Sequence, residues 1–164
     1  MSGEDGGPGA SFWRRRIVAP IAAQLTQGVT PEKIAFTIAL GVVLGVFPIL
    51  GSTTILCALA GILVRLNQPI IQLVNYVAYP LQLLLLIPFY RAGEHLLGRP
   101  PIPLSIPLLL GRFKEDTGQF LKDFGMIGVG GILVWLIIAP VAVGGIYAGV
   151  RGPLRMLAGR MKAA

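Results

Sequence analysis

The chain has 164 residues, 54% hydrophobic and 13% charged, with a formal net charge of +7. That length holds one domain, and a soluble one would carry about a quarter charged residues, so the composition excludes an ordinary water-soluble fold in favour of an integral membrane protein. The basic residues flank apolar blocks and form no basic face with interleaved aromatics, which excludes nucleic acid as a partner and makes them topology signals beside anionic lipid.

Residues 1–11, MSGEDGGPGAS, are polar and Gly-rich and are expected to be disordered. Residues 12–29 follow as an interfacial segment, with Phe12 and Trp13 at head-group level and Arg14 to Arg16 facing phosphates. Pro20 and Gln24 interrupt this run and no small-residue cleavage site follows, so it does not read as a secretory signal. Thr30-Pro31-Glu32 then predicts a helix start: a hydroxyl cap, a proline at the first helical position and an acid at the positive helix end.

From Ile34 to Val64 no residue is charged. As one straight helix this block would be roughly 46 Å long, against a hydrocarbon core of about 30 Å, and cutting it at Pro48 leaves two arms that are each short for a crossing. The sequence therefore predicts a broken or re-entrant helical hairpin, with Pro48 ending one arm and Gly51 or Ser52 starting the next. The second arm's free N–H groups, with the hydroxyls of Ser52, Thr53 and Thr54, would form an uncharged donor-rich pocket for a phosphate or carboxylate. The same hydroxyls would also serve simply to cap the turn. Thr37, Gly41 and Gly45 share a face of the first arm, and Thr54, Ala58 and Gly61 a face of the second, so the two arms are expected to pack closely on each other.

A second apolar block, Leu66 to Tyr90, carries Gln68, Gln72, Asn75, Tyr79 and Gln82 at spacings of four, three, four and three. They form one polar face, either a substrate path or interhelical glue. Pro80 is expected to interrupt this helix. Arg65 closes the preceding arm, where a cation suits the negative helix end or, if drawn inward, meets an anionic ligand. Glu94 and His95, at the block's far edge, read as a proton relay or as groups facing water.

Residues 99–123 are a connecting region: RPPIPLSIP cannot be a regular helix, and RFKEDTGQFLKDF has the pattern of an amphipathic helix lying on a membrane. Residues 124–150 are uncharged and predict a C-terminal transmembrane helix kinked at Pro140, followed by a basic tail over 151–164. With the first block as a hairpin, both termini share one side, which receives nine Lys and Arg residues against five. If the first block crosses fully, the count is again nine against five, so the positive-inside rule does not separate the two topologies. The single Cys57 and single His95 exclude a disulfide within the chain and offer no metal-ligand set, and no enzyme motif occurs, so no catalysis and no cofactor are expected.

The stretch Thr30 to Gly98 resembles the bacterial membrane family known as domain of unknown function 2062. The resemblance rests on TPEKIA (Thr30 to Ala35), ALGVVLGVFPILGSTT (Ala39 to Thr54), RLN (Arg65 to Asn67) and YxxGxxxLG (Tyr90 to Gly98). Many members have Asn-Pro and a small polar residue where this chain has Tyr79-Pro80-Leu81-Gln82. The resemblance implies a small all-α, multi-pass protein of the bacterial inner membrane and no particular activity. The re-entrant break and the polar stripe, and not the resemblance, point to transport or flipping of an anionic amphiphile such as a lipid or polyprenyl phosphate. Ser52 to Thr54 would hold the anionic group, Arg65 would attract it, and Gln68, Gln72, Asn75 and Gln82 would line its path. The alternative is a non-catalytic scaffold that recruits a partner through the polar stripe. A homo-oligomer would bury more of a short hairpin than one copy does.

Overall fold

The computed structural model describes residues 29–101, 111 and 114–163. The expectations for residues 1–28, and for the proline-rich run beyond Pro101, lie outside these. The described residues form four helices: α1 (Pro31–Gly45), α2 (Thr53–Leu63), α3 (Gln68–Leu96) and α4 (Thr117–Ala163).

Each boundary has a local cause. At the start of α1 the Thr30 hydroxyl accepts from the Lys33 N–H, with Pro31 and Glu32 in the first turn, as the sequence predicts. The helix ends before Pro48, whose ring removes an N–H and restricts Phe47. Gly51, at φ 83°, reverses the chain into α2 in a left-handed conformation that a side chain would oppose. After α2, the Leu66 N–H donates to the Gly61 carbonyl at 2.8 Å and the Arg65 N–H to Ile62 at 3.2 Å, a Schellman closure. The same closure follows α3, with Gly98 in the left-handed position and Arg99 donating to Glu94 at 2.9 Å. Asn67 caps α3 by accepting from Ile70 at 3.0 Å, and Asp116 caps α4 by accepting from Gln119 at 2.9 Å.

Two sequence expectations are corrected here. Pro80 does not interrupt the second block: α3 runs unbroken through Pro80 and Pro88. Pro80 lies on the exposed face, so it costs one ladder bond there while Asn75 and Gln82, on the buried face, hold the helix on both sides of it. The third block also extends beyond its drawn limits. Its helix begins at Thr117, absorbing part of the expected amphipathic segment, and continues through Pro140 and Pro153 into the basic tail.

Helices α1, α3 and α4 pack on one another, and α2 lies against α3 and α1. Ile34, Ala35, Ile70 and Leu154 form one buried cluster, joining the starts of α1 and α3 to the end of α4. A second cluster of Cys57, Leu66 and Ile71 joins α2 to the start of α3. Thus α1 and α3 run in the same direction, while α2 and α4 run back. Gly41 and Gly45 face α3 and not α2: a Cβ added to Gly41 would lie 3.0 Å from Val74, and one on Gly45 would lie 2.9 Å from Ala78. Gly61 likewise meets the Gln68 amide. The small-residue faces therefore turn to α3, which contacts both arms, while Phe36, Leu40 and Leu44 of α1 pack with Ala60 of α2 on the cluster around Cys57.

Helices α3 and α4 are long and apolar enough to cross a membrane. Their outer faces, and that of α2, expose large apolar side chains; Leu63, Leu84 and Val141 are each more than two-thirds exposed.

Candidate functional site

The turn between α1 and α2 leaves backbone carbonyls that no helix can use, and side chains from α3 and α4 serve them. The Phe47 N–H bonds Leu44, which leaves the Val43 carbonyl to the Trp135 indole at 2.9 Å. Gln82 donates from Nε2 to the carbonyls of Phe47 at 2.8 Å and Ile49 at 3.4 Å. The Tyr90 hydroxyl donates to the Pro48 carbonyl at 2.7 Å. Trp135 also meets the Phe47 ring edge-on, with centroids 5.0 Å apart. Gly131 makes the Tyr90 contact feasible, since a Cβ there would approach the Tyr90 ring to 2.8 Å.

The polar stripe of α3 turns toward α2 and this turn. Gln68 donates to Ala58 at 2.9 Å, Gln72 to the Thr54 carbonyl at 3.1 Å, and Asn75 to the Thr54 hydroxyl at 3.4 Å. Three side-chain amides therefore bind the returning arm to α3, and Gln82 binds the turn before it. The Oε1 atoms of Gln72 and Gln82 are buried without a partner among the described residues, two acceptors that a water or a ligand hydroxyl would satisfy. Tyr79, the fifth member of the stripe, is about half exposed.

On the opposite side of the break the hydroxyls behave unequally. Ser52 precedes α2 but gives it no side-chain cap; its hydroxyl donates backwards to the Ile49 carbonyl at 2.8 Å. Ser52 thus leaves the first-turn N–H groups of α2 without a side-chain cap from the N-cap position. Beside them is a cleft of about 310 Å³ lined by Gly51, Thr53, Thr54, Asn75, Tyr76 and Tyr79. The structure brings Thr53, Thr54 and Asn75 together there, leaves Ser52 on the turn, and places Gln68 and Gln72 further along the α2–α3 seam.

Arg65 is not part of this cleft. It is exposed in the α2–α3 turn, at the other end of α2. Glu94 and His95 also part company: Glu94 is buried and paired with Arg91 at 2.9 Å, whereas His95 is exposed. Among the described residues no three His, Cys, Asp or Glu side chains are grouped to hold a metal.

Tyr76, Gly131 and Trp135 belong to the break and its cleft but carried no distinctive signal in their own segments, and Tyr90 stood out only as the first residue of the YxxGxxxLG pattern. The one available clue was chemical: a tryptophan deep in an uncharged block has an N–H that must find an acceptor, and a proline break is where spare acceptors occur.

Comparison with curated proteins and with solved structures found no match in either set. A family model does match, over residues 15–162, extending the likeness of Thr30 to Gly98 to nearly the whole chain. The chain belongs to the bacterial family described as "Uncharacterized protein conserved in bacteria (DUF2062)".

Proposed function

We propose that the chain is a multi-pass protein of the bacterial inner membrane that binds the head group of an anionic amphiphile at the tip of a re-entrant hairpin and moves it across the bilayer. One observation carries this reading. An uncapped helix N-terminus opens on a hydroxyl-lined cleft beside Asn75 to Tyr79, about a third of the way along α3, where donor groups are scarce in lipid.

The architecture supports the membrane frame. A soluble core helix would be mostly buried, whereas α3 and α4 expose apolar side chains over much of their length. The start of α1, the end of α2 and the end of α4 share one end of the bundle, so α1 and α2 would enter and leave the bilayer on one side while α3 and α4 each cross once. By sequence order nine of the fourteen Lys and Arg residues would fall on that side, a count the fully crossing alternative shares, so the reading rests on the hairpin's course and not on charge. A reporter fused after Ala164 should be active in the cytoplasm only, and periplasmic activity would refute the topology.

In this reading Thr53 and Thr54 hold the head group, and Arg65, exposed at the cytoplasmic mouth, attracts it. Gln68, Gln72, Asn75 and Gln82 form the wall from which α2 separates when the cleft opens. Thr53→Val with Thr54→Val should abolish lipid translocation in proteoliposomes while the purified protein keeps its helical content. Unchanged translocation would remove the cleft from the mechanism.

A second reading rests on the amide bonds themselves. Four stripe amides are already engaged within the chain, which suits a rigid membrane scaffold that recruits a partner or a second copy. Cysteine substitutions along residues 68–82 separate the two: labelling by a water-soluble maleimide favours the transporter, and uniform protection the scaffold.

A further inference from the structure

We infer that the cleft at the start of α2 selects a singly charged oxyanion on an apolar chain and rejects a doubly charged one; this deepens the reading above and rests on it. Charge is the first ground. None of the six lining residues is Lys, Arg or His, and the cleft offers only hydroxyls, the Asn75 amide and the positive end of a helix. Such a helix end carries about half an elementary charge, enough to balance a large part of one negative charge but not of two. The penalty for removing an ion from water grows with the square of its charge, so a second charge is opposed far more strongly than the first.

The second ground is independent of the helix end. Thr53 is 6% exposed, lines the cleft, and its hydroxyl has no partner among the described residues. A hydroxyl without a protein partner, on a residue otherwise buried and lining the cleft, fits an oxygen ligand that completes it. The third ground concerns the chain of the ligand. Directly after Thr54, the side chains of Ile55, Leu59 and Ile62 form an exposed apolar stripe along α2, spaced four and three apart. A head group in the cleft can therefore lay its hydrocarbon on α2, which an inorganic anion could not exploit.

Ligand charge can be varied within one molecule. Phosphatidic acid carries a phosphate monoester that passes from one negative charge to nearly two above a second ionisation near pH 6, whereas phosphatidylglycerol, a phosphodiester, keeps one charge throughout. Among the described residues the cleft's lining holds no carboxylate, imidazole, ammonium or guanidinium group, only the phenols of Tyr76 and Tyr79. Glu32 and Lys33 lie at the start of α1, Arg65 beyond α2, Arg91, Glu94 and His95 at the far end of α3, and Asp123, Arg151 and Arg155 near the ends of α4. None of them lines the cleft.

The test uses the full chain in phosphatidylcholine nanodiscs, titrated with phosphatidylglycerol, phosphatidic acid or oleate between pH 5 and pH 8. Site binding is the part lost in Thr53→Val with Thr54→Val and kept in Thr53→Ser. Phosphatidic acid should lose about tenfold or more of its site affinity across this range as its second proton leaves, while phosphatidylglycerol holds constant. Oleate, bound as well as phosphatidylglycerol, would identify the charge alone as the determinant; binding of phosphatidylglycerol only would assign a phosphodiester. Site binding of phosphatidic acid that is unchanged or tighter at pH 8 overturns the charge selection and leaves the proposed function standing. Absence of hydroxyl-dependent binding by all three lipids overturns both.

Discussion

Arg65 sits at φ 53° in the closure after α2, a place where glycine is usual and where an L side chain costs about 1 kcal/mol. Arg65→Gly should therefore raise the unfolding midpoint in detergent, by roughly 1 kcal/mol of stability, while weakening any attraction of anionic lipid to that mouth. An unchanged or lower midpoint would mean that the guanidinium has a structural partner in solution. Gln82 is 1% exposed and holds two turn carbonyls; Gln82→Leu fills similar space but leaves the Phe47 carbonyl short of a donor. The expected loss is about 1–3 kcal/mol, measured by the same unfolding assay. At this scale much was legible in the sequence. The Thr30-Pro31 cap, the break at Pro48 and the stripe spacing follow from local chemistry and from periodicity of 3.6. The direction of the Ser52 hydroxyl was not, because a serine before a helix can cap forward or bond backward, and only the turn's geometry decides.

The contacts between elements depend on glycine in ways that residue spacing alone misassigned. Gly93 of α3 meets Gly130 and Gly131 of α4 backbone to backbone; an added Cβ would stand 2.6 Å from the Gly131 nitrogen. Gly93→Ala should force α3 and α4 apart and cost on the order of 1–3 kcal/mol, as overpacking does. Gly144→Ala, which meets nothing within 4 Å, is the matched control and should leave the unfolding midpoint unchanged. Spacing showed that the glycines of both arms share a face, yet a face does not name its partner. Two short arms flanking a longer helix each gain more contact from that helix than from one another, and the arms' order in the chain hides this. Proline misled in the same manner at Pro80: its cost is one bond, and a helix anchored before and after it absorbs that cost without breaking.

Across the whole molecule, the first and last helices are joined by Glu32 and Arg155, whose side chains meet at 2.6 Å. The hydrogen bond from Arg155 holds the Glu32 carboxyl below its ordinary range. A carboxyl depressed in the folded state contributes stability that is present above its unfolded pKa and is lost as pH falls through the folded value. Acidification should therefore first loosen the end of the bundle where α1 starts and α4 ends, seen as faster amide exchange in residues 31–36 and 150–156. Glu32→Gln should show that looser state already at neutral pH and little further change on acidification. The basic tail had suggested only lipid contact; its role as a clasp required the antiparallel course of α1 and α4, which depends on contacts more than a hundred residues apart. The turn at Pro48 carries a further consequence, for the order of synthesis. Its carbonyls depend on Gln82, Tyr90 and Trp135, all of which leave the ribosome later than the turn itself. Once α3 is made, Gln82 and Tyr90 serve the Phe47 and Pro48 carbonyls, but the Val43 carbonyl waits for Trp135 of α4. An early turn is thus sealed last, and on the proposed re-entrant topology a chain halted before Trp135 should keep its hairpin at the water interface.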